Sequence, residues 1–184
     1  LGVGSGIYTL ALYTGGRTPP STYHAQTESW SGSSWSEVAD LNTGRDEAAS
    51  STKGTTTASL IFGGEDASTD NFAITESWNG SAWTEVADLN TGRRALGGAG
   101  TQPAALAFSG FNSTNVNNTE SWNGSAWTEV NNVNTVRRYG VGLGEQTAAL
   151  LVGGYVPPNA IDNVEQWNGT SWTEVNDLNV AKYS

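Results

Sequence analysis

Cysteine and methionine are both missing from the 184 residues, and His24 is the single histidine. The lack of cysteine excludes disulfides, thiolate metal sites and a cysteine nucleophile. One imidazole and no thiolate supply zinc or copper poorly, so no cofactor or metal is expected. Bases are scarce too: 8 Lys and Arg stand against 18 Asp and Glu, a formal net charge of −10. Phosphate backbones are held by clustered Lys and Arg, and anionic membrane surfaces attract the same residues. Neither nucleic acid nor a membrane surface is therefore an expected partner. No apolar run reaches the roughly 18 residues of a membrane-crossing helix, and no basic segment followed by an apolar stretch marks a signal peptide. Leu1 at the start and the absence of methionine read as a piece of a longer product. An apolar stripe of helical period is lacking as well.

What the chain does have is a repeat. TESWSGSSWSEV runs from Thr27 to Val38, TESWNGSAWTEV from Thr75 to Val86 and again from Thr119 to Val130, and VEQWNGTSWTEV from Val164 to Val175. The first Trp of each falls at Trp30, Trp78, Trp122 and Trp167, at spacings of 48, 44 and 45 residues. A second block precedes each: TLALYTGG from Thr9, TASLIFGG from Thr57, PAALAFSG from Pro103 and TAALLVGG from Thr147. Before that lies a short small-residue block, LGVGSG at Leu1 and YGVGLG at Tyr139. Each unit thus offers four strand candidates: a (Gly-rich), b (apolar, ending in the glycine pair), and c and d around the Asn-Gly turn. A two-residue Asn-Gly turn is a strong hairpin signal. With Asn79-Gly80 as the turn, Trp78 faces Ser81 and Glu76 faces Trp83, so the two Trp lie diagonally on one face with Glu76 and Glu85. Sheets of this kind bury both faces by stacking radially, and a period near 46 with four strands per unit fits a propeller.

The units resemble Kelch repeats. The Kelch Arg before strand a is matched by Arg45, by Arg93 or Arg94, and by Arg137 or Arg138, with Lys182 starting a further unit. The double glycine is Gly15-Gly16, Gly63-Gly64 and Gly153-Gly154, with Ser109-Gly110 departing, and Trp30, Trp78, Trp122 and Trp167 replace the usual Tyr. Trp35, Trp83, Trp127 and Trp172 supply the second aromatic. The WNGSxWTEV wording is also similar to repeats in structural and appendage proteins of tailed phages from aquatic environments. The resemblance implies an all-β fold, a β-propeller with four Kelch-like four-stranded antiparallel blades, near 1–43, 44–91, 92–135 and 136–179, with 180–184 beginning another. Two arrangements stay open, a closed ring of four or part of a longer array, and the second is favoured.

Strand alternation puts the b–c and d–a connections on one face of such a disc and the a–b and c–d turns on the other. The c–d turns are nearly identical, whereas the b–c connections differ in every unit, and variable loops on a rigid scaffold are where binding sits. The candidate binding residues there are Arg17, Tyr23, His24, Asp66, Asp70, Phe72, Phe111, Asn112, Tyr155 and Asn159. The recurring Glu28, Glu76, Glu120 and Glu165 read as architecture, paired with a repeated Arg such as Arg94 or Arg138, because a catalytic centre needs no copy in every unit. The eight Trp read as inter-blade packing, which expects Trp35, Trp83, Trp127 and Trp172 to be buried. No nucleophile elbow and no HExxH helix motif is present. The expectation is a non-catalytic binding or structural module, extracellular or on a virion, contacting glycan or protein or assembling with neighbouring blades. The alternative is the scaffold of a secreted carbohydrate-active enzyme whose catalytic residues lie elsewhere. The radical-copper oxidases that share this scaffold need a Cys cross-linked to Tyr and a His-rich metal site, and these residues supply neither.

Overall fold

The computed structural model describes residues 1–68 and 71–184, and every regular element among them is a β-strand. Blade 1 contains β1 (Val3–Ile7) and β2 (Leu10–Thr14), a two-stranded ribbon of β3 (Arg17–Thr18) and β4 (Thr22–Tyr23), then β5 (Thr27–Trp30) and β6 (Trp35–Val38). Blade 2 is β7 (Ala49–Ser50), β8 (Ser59–Phe62), β9 (Thr75–Trp78) and β10 (Trp83–Glu85). Blade 3 is β11 (Gly97–Thr101), β12 (Ala104–Phe108), a ribbon of β13 (Phe111–Asn112) and β14 (Thr114–Asn115), then β15 (Thr119–Trp122) and β16 (Trp127–Val130). Blade 4 is β17 (Val141–Glu145), β18 (Ala148–Val156), β19 (Asn159–Trp167) and β20 (Trp172–Val175). Each blade is a four-stranded antiparallel meander, and the architecture is a four-blade β-propeller.

The c–d hairpins depart from the two-residue turn. Trp78 pairs directly with Trp83, Ser77 with Thr84 and Glu76 with Glu85, so the loop is four residues long. Asn79 Oδ1 accepts hydrogen bonds from the Ser81 and Ala82 amides at 2.9 and 3.0 Å, and within this loop Gly80 alone has positive φ. The Asn side chain imitates a backbone turn, which displaces the register expected for a type I′ turn. The two indoles become opposed, tilted neighbours with centroids 5.4 Å apart. The same pair recurs as Trp122–Trp127 at 5.4 Å and Trp167–Trp172 at 5.5 Å.

Between blades, each strand-d Trp leaves its own sheet and enters the one before. Trp83 Nε1 donates to Thr27 Oγ1 at 3.0 Å, Trp127 to Thr75 at 3.0 Å and Trp172 to Thr119 at 3.1 Å, all buried. Around Trp122 and Trp127 pack Leu60, Phe62 and Leu89 of the preceding unit, with the Phe62 ring edge-on to Trp127 at 4.9 Å. Nearer the axis the sheets approach so closely that a Cβ on Gly142 would lie 2.1 Å from the Gly98 carbonyl oxygen.

Trp35 breaks the pattern: it is 48% exposed, against 5% for Trp127. It lies on the face of blade 1 turned away from blade 2. At the place of Thr27, Thr75 and Thr119, blade 4 has Val164, which offers no hydroxyl to an indole. Gly4 likewise meets nothing within 4 Å where Gly142 meets Gly98. Among the described residues, the seam between blades 1 and 4 has none of the contacts that define the other three.

Replacing Trp127 with Ala is expected to destabilise the fold by about 3–5 kcal/mol. Thr75→Val, which strands a buried indole N–H, is expected to cost about 1–3 kcal/mol. Urea unfolding measures both, and a loss under about 1 kcal/mol for Trp127→Ala contradicts the packing role.

Candidate binding face and the cleft at its centre

The repeated Arg serves the architecture, but it is the first of each doublet. Arg45, Arg93 and Arg137 are fully buried and pair with Glu76, Glu120 and Glu165. Asn90, three residues before Arg93, donates its amide and its Nδ2 to Glu120 Oε2, both at 2.7 Å, and Nδ2 also reaches the Trp127 carbonyl oxygen at 3.2 Å. Asn42 and Asn134 repeat this on Glu76 and Glu165. Burial pushes the three guanidinium pKa values down and the facing carboxylates push them back up. Arg94 and Arg138, expected to pair with the repeated Glu, do not. Successive side chains of extended backbone point to opposite sides, so the second Arg of each doublet turns out to the b–c face.

There the residue after the buried Arg pairs, main chain to main chain, with the residue after the glycine pair: Asp46 with Glu65, Arg94 with Phe111, Arg138 with Tyr155. The second glycine of the pair makes this approach feasible: Gly64 sits at φ 101°, and a Cβ on it would lie 2.7 Å from the Asp46 carbonyl oxygen. Arg94 pairs with Glu65 and, through Nε at 3.5 Å, with Glu47. Burial raises the Glu65 pKa and Arg94 opposes the rise. Tyr139 donates its hydroxyl to Glu47 Oε1 at 2.6 Å. Burial first, and this bond second, hold the phenol well above its usual ionisation range. Arg138 lies among three rings, with its guanidinium carbon 4.7 Å from the Phe111 centroid, 5.3 Å from Tyr155 and 5.5 Å from Tyr139. Glu47, Arg138, Tyr139 and Tyr155, with Arg17, Asp46 and Tyr183, line a cleft of about 550 Å³.

The sequence-derived candidates divide. Arg17 lines the cleft, its Nε 3.3 Å from Asp46, and carries Tyr23 with it through a 3.3 Å hydrogen bond between Arg17 Nη1 and the Tyr23 hydroxyl. Tyr155 lines the cleft, whereas Phe111 does not and reaches it only by stacking on Arg138. His24 faces a neighbouring groove, bonded to Thr18 at 2.8 Å and Gln26 at 3.1 Å. Asp66 accepts from the Ser68 amide at 2.8 Å within its own loop. Asn112 and Asn159 sit in the outer ribbon and hairpin, away from the cleft lining. Phe72 is not a surface contact: it is 8% exposed and packs beneath the loop, 5.7 Å from the Arg45 guanidinium. Asp70 lies outside the described residues. Asp46, Glu47, Tyr139 and Tyr183 were not among the candidates, because they belong to d–a connections. Their signal was available in the divergence of DE, RA, RY and YS at one repeat position.

The phenol of Tyr139 is favoured neutral in the fold, so its contribution is complete below the usual tyrosine pKa of about 10 and is lost as pH climbs beyond it. The stability advantage of the parent over Tyr139→Phe is therefore expected to hold from neutral pH to about pH 9 and to shrink above it. Urea midpoints across that range check this, and a difference that stays flat contradicts it.

No protein-family model matches the chain, and no curated protein matches it either.

Proposed function

We propose that this propeller is a non-catalytic binding module that takes glycan or protein on the face carrying the b–c and d–a connections. The observation behind this reading is the contrast between the two faces. The c–d loops repeat Asn-Gly with one geometry, while the opposite face gathers residues that differ in every unit around a cleft of about 550 Å³. Its lining mixes Tyr rings with Arg and carboxylates, side chains that combine flat apolar area with hydrogen bonding and dominate recognition surfaces. In blades 2, 3 and 4 the recurring strand-c acid is engaged: Glu76, Glu120 and Glu165 each neutralise an Arg, which leaves them architectural rather than catalytic. The Kelch-like repeat, its similarity to phage appendage repeats and the cysteine-free composition support placement outside the cell or on a virion.

Binding of the chain to an array of glycans, followed by NMR mapping of contacts, tests the reading. The expected result is a ligand whose contacts fall on Arg17, Tyr155 and their neighbours, released chemically unchanged. A ligand mapping to the Asn-Gly loops, or one cleaved by the chain, overturns it.

A further inference from the structure

The position after the buried Arg is held by Asp46, Arg94, Arg138 and Tyr183 in successive units. At Arg94 the fold shows what a guanidinium in this position takes. Glu65, the residue after the glycine pair of the preceding unit, and Glu47, from the preceding d–a connection, both pair with it. One unit later the same two places around Arg138 are occupied by Phe111 and Ala95. The cation is retained and its carboxylates are gone. Among the described residues, the Arg138 side chain makes no ion pair, and its Nε is buried without a hydrogen-bond partner. Phe111, Tyr139 and Tyr155 fix the plane of the guanidinium without neutralising it.

We propose that Arg138 is the anchor for a carboxylate of the ligand, and that the ligand is an acidic saccharide bearing a hexuronic acid. This rests on the binding face assigned above and names the chemical class that it recognises. A carboxylate matches the planar fork of an Arg in two parallel hydrogen bonds. A saccharide fits better than an extended acidic peptide for two reasons. The cleft, about 550 Å³, has the volume of a small-ligand pocket and not the length of a strand-binding groove. Next to Arg138, Tyr155 and Tyr183 stand 5.2 Å apart and tilted by 51°, each ring a flat amphipathic face on which a sugar ring can rest. The net charge of −10 repels polyanions at long range, so short acidic oligomers suit the site better than long charged chains.

Titration calorimetry with oligogalacturonate, the matching neutral galactose oligomer and a glutamate-rich peptide tests the assignment. The expected result is binding of the uronate alone, weakened tenfold or more in Arg138→Ala. Phe111→Glu places a carboxylate where Glu65 stands one unit earlier, so it is expected to fill the site from within and abolish uronate binding while urea unfolding shows the fold intact. Equal binding of the neutral oligomer, or uronate binding indifferent to Arg138→Ala and Phe111→Glu, overturns the carboxylate anchor. Binding of the peptide in place of the uronate overturns the saccharide. Failure of every uronate to bind sinks this inference and leaves the binding face standing if other ligands still map to it.

Discussion

The structure depends on a buried carboxylate in the third strand of blades 2, 3 and 4. Glu120 is 1% exposed, and an ionised carboxylate without partners at that depth would be prohibitively costly. It is tolerated because the incoming d–a connection wraps it: Asn90 supplies an amide and a side-chain N–H, and Arg93 a guanidinium. Those donors come from one short stretch of chain, so they converge on the carboxylate only when that stretch follows one path across the blade. The path fixes where the next first strand begins, which sets each blade against its neighbour. Breaking one member strands a buried charge. Replacing a whole pair by apolar groups is often neutral in other proteins, so the set acts here to specify geometry more than to add stability.

The tryptophans follow from that placement. With the connection fixed, the strand-d indole of each following blade meets the Thr hydroxyl of the blade before, and the aliphatic side chains of strand b close around it. Where no neighbouring sheet covers it, as at Trp35, the same residue in the same hairpin lies half in solvent. Burial of a repeat residue is thus a property of the interface and not of the repeat. Glu28 shows the same: it occupies the place of Glu120 but is exposed, with no Asn-x-x-Arg segment laid across it.

Much of this was legible from period and alternation. The repeat wording placed all four blades, their strands and the shared face of the Trp and Glu, because these depend on local spacing. The hairpin register was not legible, since the Asn79 side chain competes for the amides that a tighter turn would use. The doublets Arg93-Arg94 and Arg137-Arg138 both satisfied the repeat pattern, and only the pleat of the extended backbone decides which Arg goes inside. Phe72 looked like a loop aromatic because sequence carries no sign that its loop folds inward. The cleft was half legible: its b–c members stood out by divergence. Its charge balance, however, joins Glu47, Glu65 and Arg94 from separate connections, and the gap in that balance at Arg138 shows only once they are assembled.

The central claim is that the carboxylate and the guanidinium act as one unit in fixing each blade. A double-mutant cycle on Arg93→Met and Glu120→Gln, read by urea unfolding, tests it most directly. Each single change leaves a buried charge or donor unpaired and is predicted to cost about 3–5 kcal/mol. The double change is predicted to cost much less than the sum, a coupling of about 2 kcal/mol or more. Additive losses, with coupling near zero, would contradict the account.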